Sequence, residues 1–127
     1  MIYGIGIDII DIKRIRRIVK KYDFRFKKKC FHEGEIIKSE KRLNLVESYA
    51  KRYAAKEACA KALGTGLARG IFWKDIEVRN DKYGKPYIYL HKNAKKFLKK
   101  DLSEKAKIEL SLSDEKDFAI ANVIIFK

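Results

Sequence analysis

The order of hydrophobic patterns predicts an α+β fold, a long helix packed with a small, mainly antiparallel sheet. Three stretches carry that expectation. Ile5, Ile7 and Ile9 alternate with Gly6 and Asp8, the period of a strand. Leu45, Val46, Tyr49, Ala50, Tyr53, Ala54 and Ala58 recur at three and four residues, so a helix runs over about residues 43–63. Residues 108–113 and 118–126 read as the two strands of a late hairpin. At 127 residues, 1–127 is long enough to form one domain with its own core.

The elements follow in order. A strand over 2–8 leads into a helix over 12–21, where Ile12, Ile15, Val19 and Tyr22 form the inner face and the basic residues the outer. Residues 22–31 are basic and aromatic without a clear period, and 32–38 read as a short helix. The long helix ends at Gly64, the residue a left-handed cap requires. Residues 67–73 form a loop that enters a strand over 75–79. Asn80-Asp81-Lys82-Tyr83-Gly84 supplies turn residues, and Pro86 opens a strand through Leu90. A helix over 93–102 precedes the hairpin. The last strand is apolar on both faces, which suggests cover by helices on one side and by another subunit on the other. Repeats, linkers and low-complexity segments are not seen.

Composition bounds the function. Hydrophobic residues at 46% and charged residues at 38% describe a globular chain with a heavily charged surface. No apolar stretch is as long as a membrane span, and the N-terminal run, with Asp8 and Asp11 inside it, lacks the basic start of a signal peptide. Cys30 and Cys59 are too few for a disulfide scaffold, so a reducing cytoplasm is the simplest setting. The net charge of +14 predicts an acidic partner or ligand. Ten cations crowd between Lys13 and Lys29; a second run at Lys92, Lys95, Lys96, Lys99 and Lys100 reads as a solvated helix face.

Two carboxylates and a lysine carry the chemistry. Glu57 and Lys61 are four residues apart, so they are neighbours on the long helix. Lys56 points about 100° away from Glu57 and serves a different edge. Gly64-Thr65-Gly66 makes a slim loop beside them that lets a ligand approach backbone. Asp8 points away from the isoleucine face of its strand, toward whatever covers Gly6, where a charge must be paired, hydrogen-bonded or metal-bound. Two carboxylates together with substrate phosphates suit Mg²⁺. Two plainer alternatives stand beside this. Glu57–Lys61 also fits an ordinary surface pair, and Asp8 also fits a helix cap or a partner for Arg14.

Taken together, the segments Ile5-Gly6-Ile7-Asp8-Ile9-Ile10-Asp11-Ile12, Arg52-Tyr53-Ala54-Ala55-Lys56-Glu57-Ala58, Lys61-Ala62-Leu63-Gly64-Thr65-Gly66 and Gly84-Lys85-Pro86 resemble holo-[acyl-carrier-protein] synthase, the small trimeric class of 4′-phosphopantetheinyl transferases. The resemblance spans essentially the whole chain. It implies the phosphopantetheinyl transferase fold and transfer of 4′-phosphopantetheine from coenzyme A to a serine of apo acyl carrier protein, giving 3′,5′-ADP, in fatty acid biosynthesis. It implies Asp8 and Glu57 as Mg²⁺ ligands, Glu57 and Lys61 as catalytic, and Lys61 as the phosphate contact. Arg52 matches an arginine near the nucleotide of coenzyme A, with Arg42 a weaker candidate. Gly64, Thr65 and Gly66 match the loop bordering the cofactor. The acidic carrier would dock on the basic first helix at Arg14, with Arg25 second, and a homotrimer would place active sites at subunit boundaries.

One departure stands out. Ser111 and Ser113 match a late Ser-x-Ser-His segment, with Ser111 carried over as a cofactor contact, but Asp114 stands where histidine is usual. An anion there must pair with a nearby Lys or Arg or turn away from any phosphate. His32 and His91 are not substitutes and read as loop or surface residues. The alternative to transfer from coenzyme A is a small basic nucleic-acid-binding domain. It explains the charge and the aromatics at Tyr22, Phe24, Phe26 and Phe31, but gives Asp8 and Glu57 no role.

Overall fold

The computed structural model describes residues 1–127. Strand β1 (Ile2–Asp11) enters helix α1 (Ile12–Tyr22), followed by α2 (Phe24–Cys30), α3 (Glu33–Glu40) and the long α4 (Leu45–Leu63). A 3₁₀ turn (Trp73–Asp75) leads to β2 (Ile76–Asn80) and β3 (Pro86–Leu90). Helix α5 (Lys92–Phe97) runs into a π-type turn (Leu98–Leu102) before the hairpin β4 (Lys107–Glu115) and β5 (Phe118–Phe126). The strands form an antiparallel sheet in the order β1-β5-β4 and a separate antiparallel pair, β2-β3. The expected α+β order therefore holds, with β1 three residues longer than its alternation suggested.

Helix α4 lies on the three-stranded sheet at backbone contact. A Cβ on Gly6 would overlap the Ala58 carbonyl, and one on Gly4 would overlap that of Ala62. Glycines on the strand and alanines on the helix are what allow this approach. Asp8 is the next residue on that face of β1, and Ala121 and Leu112 complete its row across the sheet. Ile5, Ile7 and Ile9 point to the opposite face, all about 60% exposed, beside Phe118 and Ile120. That outer face is open in the single chain.

Two expectations need correction. Helix α4 is not amphipathic: Ser48, Arg52, Lys56, Cys59 and Ala60 are buried along with Tyr49, Ala50, Ala54 and Ala58 of the predicted stripe, while Leu45, Val46 and Tyr53 are half-buried. It is surrounded by the sheet, α1, α3 and β2, and its alanines permit contact on every side. Lys56 therefore faces core and not solvent. Its ammonium donates to Glu35 (2.6 Å), to the Trp73 carbonyl (3.0 Å) and to the Ile76 carbonyl. Burial pushes the Lys56 ammonium down from its usual range while the Glu35 charge opposes it. Second, residues 24–30 form a helix where no period was apparent. Lys27 is the reason: it is buried, paired with Asp23 and Glu40, both at 2.9 Å, so a cation occupies an inner position.

Candidate active site

The close packing of β1 on α4 assembles the site. Lys61, one turn beyond Glu57, reaches across to the strand and donates to the Ile7 carbonyl at 2.9 Å and to Asp8 Oδ1 at 3.1 Å. The Asp8 side chain is 18% exposed and that of Lys61 53%. The contact is thus a shielded carboxylate held by an accessible ammonium, and Asp8 neither caps α1 nor pairs with Arg14. Asp11 is the cap, accepting from the Lys13 amide at 2.9 Å. Glu57 is half-buried on the same helix edge. Burial first, and the Glu57 charge second, pushes the Tyr53 phenol up to about 12. The Cys30 thiol is pushed up to about 11, mainly by burial, with a smaller contribution from Glu57.

Beyond α4 the chain turns as its glycines require. Gly64 caps the helix at φ 84° and Gly66 follows at φ 61°, both left-handed. The Gly66 amide closes back on the Ala60 carbonyl at 3.1 Å, and the Thr65 hydroxyl donates to the Gly66 carbonyl at 2.7 Å. Neither glycine has a neighbour within 4 Å of where a Cβ would stand, so the loop is open beside Lys61.

Arg52 is buried, donating to the Val78 carbonyl at 2.7 Å and to Asn80 Oδ1 at 3.4 Å. It also lines a cleft of about 300 Å³ with Arg42, Lys51, Asn80, Gly84 and Pro86. Three cations in one cleft suit an anionic ligand. Lys51 was not singled out in the sequence; the signals for this cleft were Arg52 and Gly84-Lys85-Pro86, which carried the resemblance, and Arg42 as a weaker candidate beside Arg52. Asp114 pairs with Lys51 at 3.3 Å, the cationic partner an acid at that position needs. Ser111 lies opposite Asn122 on the outer face of the sheet, and within one chain it is not brought to Asp8 or Lys61. Arg14 and Arg25 are exposed, and Arg25 borders an apolar groove with Ile18, Tyr22, Phe26, Tyr53 and Trp73.

Residues 4–123 match the family described as the 4′-phosphopantetheinyl transferase superfamily. The chain belongs to that superfamily. It is 49% identical to the holo-[acyl-carrier-protein] synthase of Rhizobium rhizogenes, an alignment covering 98% of this chain and 95% of the relative. Its fold matches the crystal structure of holo-[acyl-carrier-protein] synthase from Neisseria meningitidis with a TM-score of 0.92 and 37% identity, covering all of both chains. The holo-(acyl-carrier-protein) synthase of Bacillus anthracis, solved in complex with CoA (3′,5′-ADP), matches with a TM-score of 0.80 and 38% identity over 98% of this chain and 96% of that one. The phosphopantetheinyl transferase fold expected from the sequence is therefore the fold observed. Within it, β1 and α4 meet at Asp8 and Lys61, two of the residues the resemblance had marked. No helix is long and apolar enough to cross a membrane.

Proposed function

We propose that residues 1–127 act as one phosphopantetheinyl transferase domain, moving 4′-phosphopantetheine from coenzyme A to a serine of apo acyl carrier protein and releasing 3′,5′-ADP. The observation that carries this reading is the accessible Lys61–Asp8 contact beside an open glycine loop, in a chain alike over its full length to holo-[acyl-carrier-protein] synthases.

The residues divide the work. Asp8 and Glu57 offer carboxylate oxygens, the ligand type a hard cation takes, and these two side chains would hold Mg²⁺. When bound there, Mg²⁺ supplies Lewis-acid stabilisation of the pyrophosphate. Lys61 already spends its ammonium on a carboxylate and a carbonyl, and a phosphate oxygen can replace either. Arg42, Lys51 and Arg52 give the nucleotide phosphates a cationic cleft, and Gly64, Thr65 and Gly66 let the cofactor run along bare backbone. The carrier serine forms the new O–P bond, its proton passes to the Glu57 carboxylate directly or through a water that Glu57 activates, and the bond to 3′,5′-ADP breaks. Lys61 balances the charge that develops on phosphate oxygens, so the effect is alignment and electrostatic stabilisation. Arg14 and Arg25 offer the acidic carrier an exposed basic surface on the same side as Tyr53.

The open sheet face supports a homotrimer. Ile5, Ile7, Ile9 and Ile120 would be covered by neighbouring copies, and Ser111, on that same face, would serve a neighbour's site. Light scattering should read three copies; a monomer with full activity contradicts the shared site. A reducing cytoplasm remains the proposed setting, with both thiols free and buried.

The activity is tested by incubating the protein with apo acyl carrier protein, coenzyme A and Mg²⁺ and reading the intact mass of the carrier. The wild type should add one phosphopantetheine. Asp8→Asn and Glu57→Gln should each lose about a hundredfold or more in kcat with the melting temperature unchanged. Near-normal turnover in both variants refutes the assigned site.

A further inference from the structure

The chain has two histidines, and the fold brings both to one buried carboxylate. His32 precedes α3, His91 follows β3, and Glu77 lies between them on β2. His91 Nε2 stands 2.8 Å from Glu77 Oε1, and His32 Nδ1 stands 3.6 Å from Glu77 Oε2. The two rings stack with centroids 4.9 Å apart and only 4° between their planes. One donor atom from each of the three residues lies within 4.8 Å of the other two. Both histidines lie between regular elements, as the sequence suggested, but the sequence did not show that they converge on Glu77. Glu77 is 6% exposed in its side chain, while His91 at 25% and His32 at 38% leave a route from solvent.

We propose that His32, Glu77 and His91 form a site for a divalent, imidazole-preferring transition metal of the Zn²⁺ kind, separate from Asp8 and Glu57. Two imidazoles and one carboxylate with an open fourth position are a recognised donor set for Zn²⁺, and imidazole nitrogen selects such ions over Mg²⁺. Metal–ligand bonds of about 2.0–2.1 Å in a tetrahedron put donors roughly 3.3 Å apart. The His32 Nδ1–Glu77 Oε2 separation of 3.6 Å lies close to that value, and His91 Nε2 reaches the other oxygen of the same carboxylate at 2.8 Å.

The Gly34 amide points at His32 Nδ1 from 3.4 Å, a long contact that marks Nδ1 as the unprotonated nitrogen and is readily given up. Arg79 holds Glu77 Oε1 at 3.0 Å and lies over the Tyr89 ring at 3.9 Å, so it can orient the carboxylate from outside while Oε2 remains for an ion. Such an ion would tie the start of α3 to the β2–β3 pair. The residue after Glu77 is Val78, whose carbonyl holds Arg52 in the cationic cleft. The ion would therefore brace the strand that positions Arg52. Without a metal, Arg79 pairs with Glu77 and His91 shares a hydrogen bond with it, and the experiment separates these cases.

The full chain, with Mg²⁺ in excess to occupy Asp8 and Glu57, is titrated with Zn²⁺ while imidazole ¹H–¹⁵N resonances are recorded. With only two histidines, every imidazole signal reports on this cluster. Both should shift together and saturate at one Zn²⁺ per chain, and saturating Zn²⁺ should raise the melting temperature by about 5 °C. His91→Gln and His32→Asn should lose the saturation and the thermal shift, and Asp8→Asn should keep both. Either imidazole unchanged at one equivalent overturns the proposal, on wild-type protein alone and whatever the variants do. So does a thermal shift that survives His91→Gln, or one that disappears in Asp8→Asn.

Discussion

Helix α4 carries two lysine–carboxylate pairs with opposite fates. Lys56 meets Glu35 with both side chains wholly enclosed. Its three ammonium protons have three acceptors, Glu35 and the carbonyls of Trp73 and Ile76. Glu35 is equally committed, accepting from the His32 amide at 2.9 Å and from the Val78 amide at 3.1 Å. Lys61 meets Asp8 at the helix edge with half its side chain in solvent, and it uses one carboxylate oxygen and one carbonyl. The same two functional groups therefore do different things. A saturated, sealed pair can only hold elements together; an unsaturated, accessible pair can exchange partners with a phosphate or a cation.

The comparison can be broken from either side. Lys56→Met strands the Glu35 carboxylate in the core and should cost about 3–5 kcal/mol in urea unfolding. Lys56→Met/Glu35→Gln, which removes both charges, should cost clearly less. Equal losses in the single and double variants would mean that Lys56 matters only for packing. A smaller effect is expected on the exposed side of the molecule. Arg14→Glu should raise the KM for carrier protein about tenfold while the KM for coenzyme A stays nearly the same. Added salt should weaken carrier binding in the wild type, because exposed charges are screened beyond about 8 Å at physiological ionic strength. Equal changes in both KM values would contradict docking on α1.

Much of this contrast was legible in the sequence, and the missing parts have identifiable physical causes. The alternation around Gly6 placed Asp8 on the covered face of β1, and Gly64 marked the left-handed end of α4. The strand opened by Pro86 matches residue for residue. Lys56 and Glu57 were correctly separated onto different edges, since helical geometry alone does that. What lay on the Lys56 edge was not legible, because Glu35 comes from another helix and its only local mark is its place at the start of α3. Buried cations also defeat hydrophobic periodicity: Lys27 hid α2, and Arg52 and Lys56 made a helix packed on most sides look amphipathic. Single histidines read as loop or surface residues, and no local pattern reveals that His32 and His91 converge on Glu77. Ser111 was legible as part of a motif, but its face of the sheet, away from α4, emerges only from the strand register.

The central claim is that the accessible pair does chemistry and the sealed pair does not. Its most direct test is carrier-protein modification per folded molecule for Lys61→Ala beside Lys56→Met/Glu35→Gln. Lys61→Ala should melt like the wild type and lose about 10²–10³ in kcat/KM, while the double variant should melt lower and keep near wild-type turnover per folded molecule. Normal turnover in Lys61→Ala, or lost chemistry in a double variant with wild-type stability, would contradict it.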